Sequence, residues 1–156
     1  MGHHPGAEIA YGVNLYQEGW QVKDGEDDWE YVPPWEQGLD EEERDAVEAE
    51  ALFLRYLLKR LPEDACGSEI DDEGTYDLNK ILIAKTGLRL VSYGHEGGSS
   101  FLASGPTLNV YAYDVVDTAT GPKPTEEHKK WMTWAIETAG VEFTMKPCVA
   151  VMVSYG

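Results

Sequence analysis

Hydrophobic and polar positions alternate cleanly near the start of the chain. Ala7, Ile9, Tyr11, Val13 and Leu15 share one parity, and Glu8, Gly12 and Asn14 the other. A period of two is what a half-buried β-strand requires. The period is lost over residues 16–38. Gly19, Gly25, Pro33, Pro34 and Gly38 punctuate this stretch, and Trp20, Trp29, Tyr31 and Trp35 stand among acids. The pattern predicts a long acidic aromatic loop, of a length that usually carries function.

From Asp40 the spacing becomes helical. Val47, Ala51, Leu54, Leu58 and Leu61 form one apolar stripe. Asp40 can cap, with Glu43 three residues on, and Glu41, Glu42 and Glu43 suit the positive end of the helix dipole. Arg55, Lys59 and Arg60 suit the other end, and Pro62 stops the run. One continuous helix is therefore expected from Asp40 to Leu61. Residues 62–74 read as a second acidic loop. Its Asp71-Asp72-Glu73-Gly74 lacks the alternate oxygen ligands of a calcium loop and reads as a solvated turn.

A short helix follows over about 76–86, with Leu78, Ile81 and Leu82 inward and Gly87 as its C′ residue. Strands are expected at 88–93, 99–104 and 107–116. A Gly-rich hairpin loop over 94–98 joins the first two, and Gly105-Pro106 turns the second into the third. Thr125 can cap the last helix. Trp131, Trp134, Ala135 and Thr138 define its inward face, Met132, Ile136 and Ala139 widen it, and Gly140 ends it. Residues 141–146 alternate as a strand until Pro147. Cys148–Val153, apolar throughout, reads as a central strand buried on both faces. The expected architecture is a single α+β domain over residues 1–156. Its mostly antiparallel sheet has about five strands, with two main helices and one short helix on one face.

Charge sharpens this outline. The chain of 156 residues has 29 Asp and Glu against 12 Lys and Arg, a formal charge of −17. Residues 1–77 hold 22 acids and 5 bases, whereas residues 78–156 hold 7 of each. All the excess thus lies in the first half, which implies one acidic face. Such a face attracts basic partners and repels nucleic acid, so direct nucleic-acid binding is not expected. The first residues show neither a basic nor an apolar leader segment, and the longest wholly apolar run, Cys148–Val153, is far too short to span a membrane. Cys66 and Cys148 match no zinc or redox spacing. A cytoplasmic protein with reduced thiols, no membrane partner and no cofactor is expected.

The most enzyme-like stretch is Ser92-Tyr-Gly-His-Glu-Gly-Gly-Ser-Ser100. His95 could act as general base with Glu96 orienting it, and Ser99 or Ser100 as nucleophile. The stretch has neither a G-x-S-x-G elbow nor a Walker A pattern, and its glycines are equally explained by a tight turn. A catalytic reading is the alternative here, and no metal site is expected. His3, His4 and His128 are too scattered for a histidine centre. Trp20, Trp29 and Trp35 either anchor a partner or cover the edge of the core, since an amphipathic ring does both.

Three segments carry a resemblance: Ala7-Glu-Ile-Ala-Tyr-Gly-Val-Asn-Leu15, Gly87-Leu-Arg-Leu-Val-Ser-Tyr-Gly-His95 with Phe101-Leu-Ala103, and Val151-Met-Val-Ser-Tyr-Gly156. The chain resembles small acidic proteins encoded by tailed phages of actinobacteria. That group has no assigned activity, so the resemblance implies a phage accessory protein in the host cytoplasm and no site residues. The leading expectation is a binding protein, not an enzyme, that inhibits or redirects a host protein by acting as a phosphate or DNA mimic. Its acidic face, with Asp24, Asp27, Asp28, Glu30, Glu41 and Glu42, would dock on a basic host surface. Trp20, Trp29, Tyr31 and Trp35 would anchor it. A ligand site at His95, Glu96, Ser99 and Ser100 is the first alternative, and a virion or assembly component the second. The oligomeric state is left open.

Overall fold

In the computed structural model, β1 (Gly6–Gln17) is the strand on which the sheet is built. The structure describes residues 6–17, 32–62, 70, 73–95, 98–111, 121–143 and 145–155. One edge of β1 takes β5 (Cys148–Tyr155) antiparallel, from Gly6 opposite Ser154 to Gly12 opposite Cys148. Its other edge takes two partners in succession. β4 (Leu108–Tyr111) lies along Gly6–Ile9, and β3 (Ser99–Ser104) along Gly12–Gln17, with a register shift between Asn14 and Tyr16. β2 (Leu88–His95) forms a hairpin with the far edge of β3. The end of β2 then meets β5 in a parallel pairing, Gly94 to Ser154 and His95 to Tyr155. The pairings β1–β3–β2–β5–β1 thus close a cycle, with β4 at its margin. The expected α+β class, with a mostly antiparallel sheet of five strands, is what the structure has.

Closure brings β1 and β3 so near that Gly12 has no room for a side chain. A Cβ there would strike the Leu102 carbonyl oxygen and come within 2.7 Å of the Phe101 ring. The alternation of strand side chains then separates two cores. On one face, Val13, Leu15, Leu88, Leu90 and Leu102 meet the helices. On the other, Ala10, Val91, Phe101, Ala103 and Met152 form a smaller cluster.

The helical layer consists of α1 (Glu41–Asp45), α2 (Ala49–Leu58), α3 (Thr75–Thr86) and α4 (Glu126–Ala139), with a 3-10 turn at Pro34–Glu36. Asp40 caps α1 by accepting from the Glu43 N–H at 2.7 Å. Gly87 (φ 77°) and Gly140 (φ 69°) end α3 and α4 in the left-handed conformation that glycine adopts at low cost. Thr125 caps α4 reciprocally with His128: the His128 N–H donates to Thr125 Oγ1, and His128 Nδ1 accepts from the Thr125 N–H. The Tyr56 hydroxyl donates to the Thr138 carbonyl at 2.9 Å and so joins α2 to α4. Asn79 of α3 completes the free edge of β2. Its Nδ2 donates to the Leu90 carbonyl at 3.0 Å and its Oδ1 accepts from the Leu90 N–H at 2.7 Å.

Five expectations need correction. The helix expected over Asp40–Leu61 is broken, because Glu48 is extended (ψ 138°) between α1 and α2. Asp45 and Glu48 are three apart, so a continuous helix would stack those like charges. The short helix expected over 76–86 has 12 residues and is longer than α2. Residues 141–146 contribute no strand among the described residues. Phe143 is buried and Met145 accepts a hydrogen bond at Sδ from the Asn14 N–H at 3.3 Å, so the alternation tracks burial without a ladder. β5 is not buried on both faces. Met152 is 3% exposed, but Val149 and Val151 are 47% and 62% exposed. Those valines pair across with Tyr11, which packs at the edge of the helix-side core, and with Ile9, which lies outside it. The strand buried at every residue is β3, whose three serines disguise it. Finally, the inward face of α4 centres on Met132, Ala135 and Ala139, and Trp131 and Trp134 flank it, half-buried and packed edge to face at 5.4 Å.

Two substitutions test this frame. Gly12→Ala should destabilise the protein by about 3 kcal/mol or more, because the added methyl meets backbone and cannot be repacked. Asn79→Ala leaves both Leu90 backbone groups without their partner and should cost about 1–3 kcal/mol. Denaturant melts of the two variants check both values.

Candidate functional site

The residues singled out from the sequence fall into two places. Of the acidic aromatic segment, Trp20, Asp24, Asp27, Asp28, Trp29, Glu30 and Tyr31 lie outside the described residues. Trp35 is described, and it is a core residue at 5% exposure. Pro34 opens the 3-10 turn, which turns the indole inward against Phe53 at 4.8 Å and Tyr56 at 6.0 Å, both edge to face. Of its two expected roles, Trp35 fills that of cover and offers no protruding anchor. Its burial fixes the entry to α1 against α2.

Glu41 and Glu42 stand exposed on α1, with Glu43 and Asp45 beside them. None of these four carboxylates makes an ion pair with another of the described residues. Their position follows from the local sequence. The Asp40 cap starts the helix, and the extended Glu48 separates it from α2. The acids further along are engaged. Glu48 Oε2 accepts from Thr75 Oγ1 at 2.7 Å, and Glu50 Oε1 accepts from Ser100 Oγ at 3.1 Å. The acidic segment therefore changes character within a few residues, from a free negative surface to side chains that tie the helices to α3 and β3.

The second place is the turn between β2 and β3. Glu96 lies outside the described residues, and of His95 only the backbone, paired with Tyr155, is described. Ser99 and Ser100 are both buried, at 9% and 0% exposure, and they point to opposite faces because they are neighbours in a strand. Ser100 donates to Glu50 on the helix-covered face. Ser99 lies on the other face, within a polar group that the sequence did not single out. There the Tyr93 hydroxyl donates to Asn14 Oδ1 and also hydrogen-bonds with Ser99. A single catalytic arrangement cannot use both serines. Asn14, Tyr93 and Glu50 sit next to the candidate residues only through strand pairing and helix packing, so no local motif could have shown them.

Burial pushes the Tyr93 phenol above its ordinary 10.0, and the hydrogen bonds with Ser99 and Asn14 oppose that shift without cancelling it. Tyr11 is also raised, first by burial and then by the negative charge of Cys148 and Glu126. Neither phenol is thereby activated as a base, since a raised value keeps the proton on. Among the described residues no group of three or more His, Cys, Asp or Glu is arranged to hold a metal ion. No helix among them is long and apolar enough to cross a membrane.

The two raised tyrosines make a testable pH dependence. A folded-state value above the unfolded one gives stability that is full below about pH 10 and lost as pH rises through the folded value. The melting temperature should therefore fall as pH rises above about 10, and Tyr93→Phe should make that fall shallower. Thermal melts across that range, with tyrosinate absorbance followed in parallel, check it. No protein-family model, curated protein or solved structure matches this chain.

Proposed function

We propose that this chain is a binding protein without catalytic activity, which docks on a basic surface of a partner protein through its acidic first half. The observation that carries the reading is the set of exposed carboxylates at Glu41, Glu42, Glu43 and Asp45, none of them in an ion pair with another of the described residues. Four unpaired like charges on five residues repel one another, and a cationic surface relieves that repulsion. They continue a sequence segment in which residues 18–50 carry 14 acids against Lys23 and Arg44. Leu39, just before the Asp40 cap, packs against the same core as Trp35 and ties the start of α1 to it. Pre-organised charge lowers the ordering cost of association.

The partner chemistry that suits such a surface is a cleft built to bind phosphates, as in proteins that handle nucleic acid. Carboxylates there occupy positions that nucleic-acid phosphates would take. The resemblance to small acidic phage proteins points to a host protein as that partner and to the host cytoplasm as the place of action.

The test neutralises α1 without disturbing its cap. A variant with Glu41→Gln, Glu42→Gln, Glu43→Gln and Asp45→Asn keeps Asp40 and should melt within a few degrees of the parent. Both proteins are immobilised and exposed to actinobacterial lysate at low and high salt, and retained proteins are identified by mass spectrometry. The parent should retain a basic nucleic-acid-binding protein at low salt and release it at high salt. The variant should capture it with an on-rate lower by about tenfold or more. Equal capture by the two proteins with the same salt profile would show that α1 is not the docking surface.

A further inference from the structure

We propose that the cleft at the C-terminal end of α2 binds a small organic anion, a phosphate monoester or carboxylate attached to a planar apolar body. The cleft has a volume of about 450 Å3, within the range of small-molecule sites. Tyr56 gives it aromatic surface, Pro34 and Leu39 give it aliphatic surface over the buried Trp35, and Arg55, Lys59 and Arg60 give it positive charge.

The charge of this cleft is opposite to that of the chain. The protein carries −17 overall, yet three of its 12 cationic side chains fall within six positions here. None of the described residues lining the cleft is a carboxylate. Cations at a helix C-terminus complement the dipole, and that accounts for Lys59, the C-cap residue. It accounts also for Arg55, in the last turn of α2, but not for Arg60, which lies beyond the helix. Arg60 is laid flat over the Tyr56 ring, 3.6 Å from its centroid, and its Nη1 is held by the Tyr56 carbonyl at 3.0 Å. Its guanidinium is thus pre-positioned at the cleft and not spread into solvent.

Arg55 adds an independent sign. Its Nη2 donates to the Glu73 carbonyl at 2.9 Å, but its Nε is buried without a hydrogen-bond partner. Buried donors of charged groups are rarely left unsatisfied. The exposed guanidinium of Arg60 matches the paired oxygens of a carboxylate or phosphate, and Arg55 adds charge from behind it. The ligand needs both parts. A bare anion would leave the apolar surface of Pro34, Leu39 and Tyr56 unfilled, and a neutral aromatic would leave the guanidinium donors unmatched.

Isothermal titration of the full chain decides the matter with four probes: phenyl phosphate, benzoate, inorganic phosphate and phenol. At least one of the two aromatic anions should bind with a Kd below about 1 mM, about tenfold or more tighter than inorganic phosphate or phenol. Lys59→Ala with Arg60→Ala, both exposed positions, should weaken that binding about tenfold or more. Lys129→Ala with Lys130→Ala, two cations on α4, should leave it unchanged. Should the first pair fail to melt as a folded protein, Arg60→Gln alone must show the same loss. Absence of binding by both aromatic anions overturns the proposal. So does phenol or inorganic phosphate binding as tightly as the aromatic anion, or an equal loss from the α4 pair.

Discussion

The approach of β1 to β3 at Gly12 is the constraint on which the other elements depend. β1 is shared by β5 on one edge and by β3 and β4 on the other, and β2 reaches from β3 round to β5. The cycle closes only if its interior is narrow, and the interior residues are accordingly small wherever the strands come close: Ala10, Gly12 and Ala103 stand around Phe101 and Met152. One large ring can be housed because its neighbours are small. The opposite face then presents Val13, Leu15, Leu88, Leu90 and Leu102 as a single apolar surface, and the helices are laid on that. Asn79 supplies the hydrogen bonds that β2 lacks at Leu90, before β5 takes over at Gly94.

The same arrangement explains where charge can and cannot lie. Glu8 faces Arg89 in an ion pair that also takes in Thr107, so the one acid of β1 is neutralised by a partner on β2. The free carboxylates sit on α1, outside the strand cycle, where water is available to them. Segregating acids into the first half of the chain lets the strands of the second half pair without repulsion. Its consequence is a protein whose sheet is electrically quiet and whose helical side carries opposite surfaces: acids on α1, and cations at the end of α2.

What was legible in the sequence is what local chemistry decides. The Asp40 and Thr125 caps, the left-handed glycines at 87 and 140 and the span of β3 follow from residues within a few positions of one another. What was not legible depends on contacts distant in sequence. The apolar run of β5 promised burial on both faces, but Val149 and Val151 stand exposed on one of them. β3, with serines at 99, 100 and 104, looked half-polar and is buried throughout, because those hydroxyls find partners on helices and neighbouring strands. Trp35 shows the same limit at the site. Its surroundings in sequence, prolines and acids, suit an exposed anchor and a cover equally, and only its packing against Phe53 and Tyr56 decides between them.

Helix stability and surface charge can be separated on α1 and α2, and that separation is what gives the surfaces functional weight. The dipole favours acids in the first turn and cations in the last, by about 0.3–1 kcal/mol each, and the effect fades within a turn. Glu41, Glu42 and Glu43 on α1, and Arg55 and Lys59 on α2, could therefore be present for the helices alone. Asp45 could not. It closes α1, where the dipole disfavours an acid, and it repels Glu41 and Glu48. Arg60 lies beyond the end of α2 and gains more from the Tyr56 ring than from the helix. Neither is called for by the dipole of its helix, and each extends the surface to which it belongs. Asp45 thus widens the acidic surface of α1, and Arg60 the cationic surface at the end of α2, beyond what the two helix dipoles account for.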